Sequence, residues 1–121
     1  MRVLVVEDEA DARQALVDVL QQASFETAEA EDGQGALEVL SHFRPDAIVL
    51  DLAMPGMGGD ELVEALRSDP EARAVPLVIM SEWAQHIAPT APVAAWLPKP
   101  FAPEDLVSLL RRLPVAPTPA A

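Results

Sequence analysis

Three short runs of aliphatic residues, at 3–6, 47–50 and 77–80, constrain this chain more than any other feature. None alternates apolar with polar side chains, so each reads as a strand covered on both faces. Each also stops abruptly at polar residues: Glu7-Asp8-Glu9 after the first, Asp51 after the second, Ser81 after the third. Helical patterns lie between them. Ala12, Leu16, Val19, Leu20 and Ala23 share one helical face, with Asp11, Arg13 and Gln14 on others. A weak strand at about 26–30 leads into a second helix carrying Ala36, Leu37, Val39 and Leu40. The turn-forming Met54-Pro55-Gly56-Met57-Gly58-Gly59 precedes a third, marked by Leu62, Val63 and Leu66. Residues 93–97 predict a last strand, followed by Pro98-Lys99-Pro100 and a helix with Leu106, Val107, Leu109, Leu110 and Leu113. Pro89 and Pro92 predict a short or irregular fourth helix in the stretch between Ser81 and that last strand. The expectation is an α/β fold, a doubly wound five-stranded parallel sheet with its ligand site beyond the carboxyl ends of the strands. One domain is expected over residues 1–113, with the Pro/Ala-rich 114–121 as a tail or linker.

Those strand ends carry the candidate chemistry. Glu7, Asp8 and Asp51 meet there, with Ser81 and the only lysine, Lys99. Singly, each has an ordinary explanation: Asp8 and Asp11 as helix-capping acids, Asp51 as a turn cap, Ser81 as a helix cap, Lys99 as a surface residue. Together they resist it, because carboxylates crowded at adjacent strand ends repel one another unless a cation offsets them. Oxygen ligands without His or Cys select a hard ion, and an incomplete cage suits Mg²⁺. A carboxylate can also act as a nucleophile toward phosphorus, forming an aspartyl phosphate. Asp51, alone after a buried strand in the middle of the sheet edge, is the candidate nucleophile, and the Ser81 hydroxyl can donate to a transferred phosphoryl oxygen. His42 and His86 have neither metal-ligand spacing nor a triad partner and read as surface residues.

Charge narrows the partners. A formal net charge of −12 repels phosphate backbones and anionic lipid, so this domain is expected to bind neither nucleic acid nor membrane. The absence of cysteine excludes disulfides and thiolate zinc sites and fits a cytoplasmic location, as does the lack of a signal-peptide pattern. A nucleotide- or flavin-binding enzyme would need a phosphate-cradling loop after the first strand. The loop here is Glu7-Asp8-Glu9, which repels phosphate.

The pieces MRVLVVEDEADARQAL, EAEDGQGALEVL, RPDAIVLDLAMPGMGGDELVEALR, VPLVIMS and AAWLPKPF, in this order and spacing, resemble the response-regulator receiver domains of bacterial two-component signalling, a CheY-like, flavodoxin-like family. The resemblance implies Mg²⁺ as cofactor, with Asp8 as a direct ligand, Glu7 acting through water, and Asp51 and the Ala53 backbone carbonyl completing the protein's share. It implies Asp51 as phosphoacceptor, Ser81 as the switch hydroxyl, Lys99 as the phosphate-contacting lysine, and Trp96 at the position of the family's rotating aromatic. The implied function is that of a phosphoacceptor receiver in a phosphorelay. It would take its phosphoryl group from a histidine kinase or histidine phosphotransfer protein and switch a surface read by a downstream protein or effector domain. Such a domain is a signalling module, not an enzyme beyond its own phosphotransfer and dephosphorylation. The alternative is a degenerate receiver that binds partners without phosphorylation.

Three departures from the family pattern stand out. Trp96 lacks the phenolic hydroxyl of the usual Tyr. The span from Ser81 to Lys99 is a few residues short, and Glu82 stands where receivers usually have a small residue. Bulk and negative charge beside the phosphoryl site would make Glu82 an access gate against anionic donors. Glu82→Ala is therefore expected to speed phosphorylation by small phosphodonors roughly tenfold, equivalent to about 1.4 kcal/mol, at unchanged Mg²⁺ affinity. Equal rates would leave Glu82 as a first-turn helix residue placed favourably for the dipole.

Overall fold

The computed structural model describes residues 1–51, 59–69, 72–81, 93–98 and 101–113. Within them the elements run β1 (Arg2–Val6), α1 (Ala10–Gln22), β2 (Glu26–Ala30), α2 (Gly33–Leu40), β3 (Ala47–Asp51), α3 (Gly59–Ser68), a 3-10 turn (Ala72–Ala74), β4 (Leu77–Ser81), β5 (Val93–Pro98) and α4 (Pro103–Arg112). The strands form one sheet in the order β2-β1-β3-β4-β5, and all four pairings are parallel. The doubly wound parallel sheet expected from the sequence is what the chain forms. The segment around Pro89 and the tail at 114–121 lie outside the described residues.

The unbroken aliphatic runs divide their side chains between two cores. Leu4, Val6, Ile48, Leu50, Leu77 and Ile79 pack with Ala36 of α2, Phe43, and Val63 and Leu66 of α3. Their strand neighbours Val3, Val5, Ala47, Val49, Val78 and Met80 pack on the other face with Leu16, Val17 and Leu20 of α1 and Leu106, Val107 and Leu110 of α4. Period-two side-chain direction thus makes every residue of these runs a core residue. Truncating a fully buried one such as Leu4, Ile48 or Leu77 costs about 2–5 kcal/mol in comparable cores. Off the expected apolar stripe of α1, Val17 is nonetheless buried, while Ala12 and Val19 on that stripe are only half-buried.

Local chemistry sets the element ends. Asp32 caps α2, its Oδ1 accepting from the Gly35 N–H at 2.7 Å. Asp105 Oδ2 accepts from the Ala102 N–H at 3.1 Å, tying the start of α4. The ordinary explanation of Asp8 as the cap of α1 does not hold. The N-cap is Glu9 and no side chain caps it, so Asp8 is left to other work. The α1 carboxyl end closes with paired bonds from the Ser24 N–H to Gln21 O (3.0 Å) and the Phe25 N–H to Leu20 O (2.9 Å). That closure holds Ser24 at φ 71, a left-handed conformation glycine adopts without strain. Edge strand β2 carries exposed Glu26 and Glu29, which discourages pairing with another chain. Among the described residues no helix is long and apolar enough to cross a membrane.

Ser24→Gly is expected to raise stability by about 0.5–1 kcal/mol, because relief of the left-handed strain exceeds glycine's entropic cost. Thermal or urea unfolding at a single wavelength measures it; a loss of stability would show that the Ser24 side chain contributes more than its backbone strain costs.

Candidate functional site

Register builds the site. Val6 of β1 pairs with Leu50 of β3, so the next residues, Glu7 and Asp51, leave adjacent strands side by side. One ligand oxygen each from Glu7, Asp8 and Asp51 lies within 4.8 Å of the others. Glu7 is 3% exposed and Asp51 4% exposed, whereas Asp8 faces solvent. The cluster is therefore a buried carboxylate pair with a third acid at its mouth.

The other expected site residues are placed in part. Asp51 pairs with Met80, so Ser81 is one residue further along the same sheet edge. Ser81 pairs with Pro98, which brings the residue before Lys99 to that edge. Trp96 pairs with Ile79, two residues back along β5. Ala53, Glu82 and Lys99 lie outside the described residues, as does His86. His42 is exposed, as a surface residue should be.

Glu7 is held at three points. Its N–H donates to Ala30 O of β2 at 3.1 Å. Its backbone carbonyl accepts from Arg13 Nη1 at 2.8 Å. Its Oε1 accepts from the Glu9 N–H at 3.3 Å, which turns the carboxylate back over the loop. Arg13 also reaches Glu29 Oε1 through Nε at 3.2 Å. Helical spacing put Arg13 on a face of α1 away from the core; it is in fact half-buried and joined to two elements. A clue was present in the sequence. Arg13 is the fourth residue of its helix, near the amino end, where the dipole does not favour a cation.

The donor set fits a hard divalent cation: three carboxylates, no nitrogen or sulfur ligand among the clustered groups, and two of the three buried away from competing water. At this separation the carboxylates repel pairwise by on the order of 1–3 kcal/mol, depending on the effective dielectric.

Residues 3–111 match the family model of the response regulator receiver domain. The chain belongs to the response-regulator receiver family. Relatives include the DNA-binding response regulator MtrA of Mycobacterium tuberculosis, 34% identical over 114 residues that cover 91% of this chain and 49% of that protein. The phosphate regulon transcriptional regulatory protein PhoB of Escherichia coli is 32% identical over 114 residues, covering 91% of this chain and 50% of that protein. This receiver thus spans about half the length of the curated relatives it matches. Among solved structures, the chemotaxis response regulator CheY4 of Vibrio cholerae superposes with a TM-score of 0.80 at 32% identity, covering 92% of this chain and 96% of that one. The receiver fold and a phosphoacceptor role in two-component signal transduction follow from this membership.

The crowding of the receiver's acids has a measurable consequence. In EDTA, Asp51→Asn is expected to raise the melting temperature by several degrees, because it removes one charge from the buried group. An unchanged or lowered melting temperature would show that other bonds of Asp51 outweigh the repulsion.

Proposed function

We propose that this receiver accepts a phosphoryl group on Asp51, supported by Mg²⁺, and thereby switches a surface read by a downstream protein or effector domain. The observation that carries the reading is the placement of a buried Asp51 carboxylate beside Glu7 and Asp8, with their oxygens within 4.8 Å. Glu7, Asp8, Asp51 and the Ala53 carbonyl would hold the ion. When bound, Mg²⁺ supplies positive charge against the phosphoryl oxygens.

The remaining chemistry belongs to the chain. A carboxylate oxygen of Asp51 attacks phosphorus in line, a P–O bond forms, and the P–N bond to the donor's imidazole breaks. The donor's phosphoimidazole carries a proton on its other ring nitrogen and so leaves as neutral imidazole, which balances charge and atoms. Lys99 and the Ser81 hydroxyl take up phosphoryl oxygens. Ser81 and Trp96 are the residues through which the change would spread along β4 and β5, biasing an equilibrium between two arrangements. The donor is a histidine kinase or a histidine phosphotransfer protein. The domain occupies residues 1–113, works in the cytoplasm, and catalyses nothing beyond its own phosphorylation and dephosphorylation. Residues 114–121 serve as a tail or linker. With a net charge of −12, the domain itself does not take nucleic acid, whatever the output of longer relatives.

Glu82 and the short Ser81-to-Lys99 span favour a second reading, a receiver whose contacts do not require phosphorylation. Intact mass spectrometry separates the two. With Mg²⁺ and a small phosphodonor, the wild type is expected to gain one phosphoryl group that is lost at alkaline pH, and Asp51→Asn to gain none. Lys99→Arg is expected to slow the gain about tenfold despite keeping the charge, since a planar guanidinium does not replace a compact ammonium. A wild type that takes up no phosphoryl group under these conditions supports the second reading.

A further inference from the structure

We infer that Arg13 is a positioning residue of the phosphoacceptor site, bracketing the Glu7 end of β1 against β2. The inference rests on the reading of the acidic cluster as a metal and phosphoacceptor site. Arg13 bonds across three elements: it sits in α1, donates through Nη1 to the Glu7 carbonyl at 2.8 Å, and pairs through Nε with Glu29 of β2 at 3.2 Å. Its side chain is 18% exposed, against 43% for Glu29, so the bracket is substantially shielded on the arginine side. Only a guanidinium presents rigid, divergent donors to two acceptors on separate strands; an ammonium would hold one well and the other poorly.

The geometry matters because of what Glu7 would otherwise do. Three crowded carboxylates relax most simply by rotating one of them out to water. The Glu7 backbone is bonded at its N–H to Ala30 O and at its carbonyl to Arg13, and its carboxylate accepts from the Glu9 N–H. Arg13 therefore keeps Glu7 in the ligand set without touching the ion.

The test has a metal-free arm and a metal arm, both on the full chain. In EDTA, Arg13→Ala is expected to speed amide exchange at Glu7 about tenfold, while Val5 and Val49 in the core stay within about twofold of wild type. In calorimetric titration with magnesium chloride, Arg13→Ala is expected to bind about tenfold more weakly. Arg13→Lys is expected to recover only part of that loss. Glu29→Gln keeps an acceptor oxygen and leaves α1 intact, and is expected to weaken binding about threefold. Unchanged Glu7 exchange in Arg13→Ala overturns the inference, as does full recovery by Arg13→Lys, which would mean that charge alone is at work. Uniformly faster exchange across β1 and β3 also overturns it, by making Arg13 a general stabiliser. If the wild type binds no Mg²⁺ at all, the metal-site reading fails, and the exchange arm still decides whether Arg13 brackets Glu7.

Discussion

The register between β1 and β3 is the constraint on which the site depends. Val6 opposite Leu50 makes Glu7 and Asp51 neighbours at the end of two buried strands. A slip of one residue would turn every β1 side chain to the other face, exchanging Leu4 and Val6 for Val3 and Val5 in their respective cores. Both faces of the sheet are apolar, so alternation alone does not forbid such a slip. The helices choose instead: α1 and α4 pack on one set of strand side chains, α2 and α3 on the other. Packing on both faces thus holds the acids in place from below.

This arrangement puts stability and function in opposition at one spot. Folding brings Glu7 and Asp51 to 3% and 4% exposure beside a third acid, an unfavourable grouping on its own. The fold tolerates it because the strands beneath are buried throughout and because Glu7 is bonded at its N–H, its carbonyl and its carboxylate. A site built this way is responsive by construction. A cation, or a phosphoryl group with its counterion, would change the charge balance at the ends of β1 and β3, and β4 lies directly beside Asp51.

Much of this was legible in advance, for identifiable reasons. Residues 3–6, 47–50 and 77–80 are apolar without interruption, and only strands covered on both faces need that pattern, so the parallel, doubly wound architecture followed. Asp51 was recognisable because an acid that ends such a run cannot face an apolar core and must stand at the sheet edge. Val17 and Arg13 were not recognisable in the same way. Val17 falls outside the simple helical stripe yet is buried between α1 and its core, and Arg13 looks like one more solvated helix residue until β2 comes alongside.

By itself, then, the amino-acid order determined the elements, their alternation and the chemistry at the strand ends, because periodicity and charge are local properties. Tertiary structure decided the rest. Which of the clustered acids are buried, and that Arg13 reaches both the Glu7 carbonyl and Glu29, depend on groups far apart in the chain. Such contacts come from sheet order and register, which are set by the packing of both cores at once and are not written in any single segment.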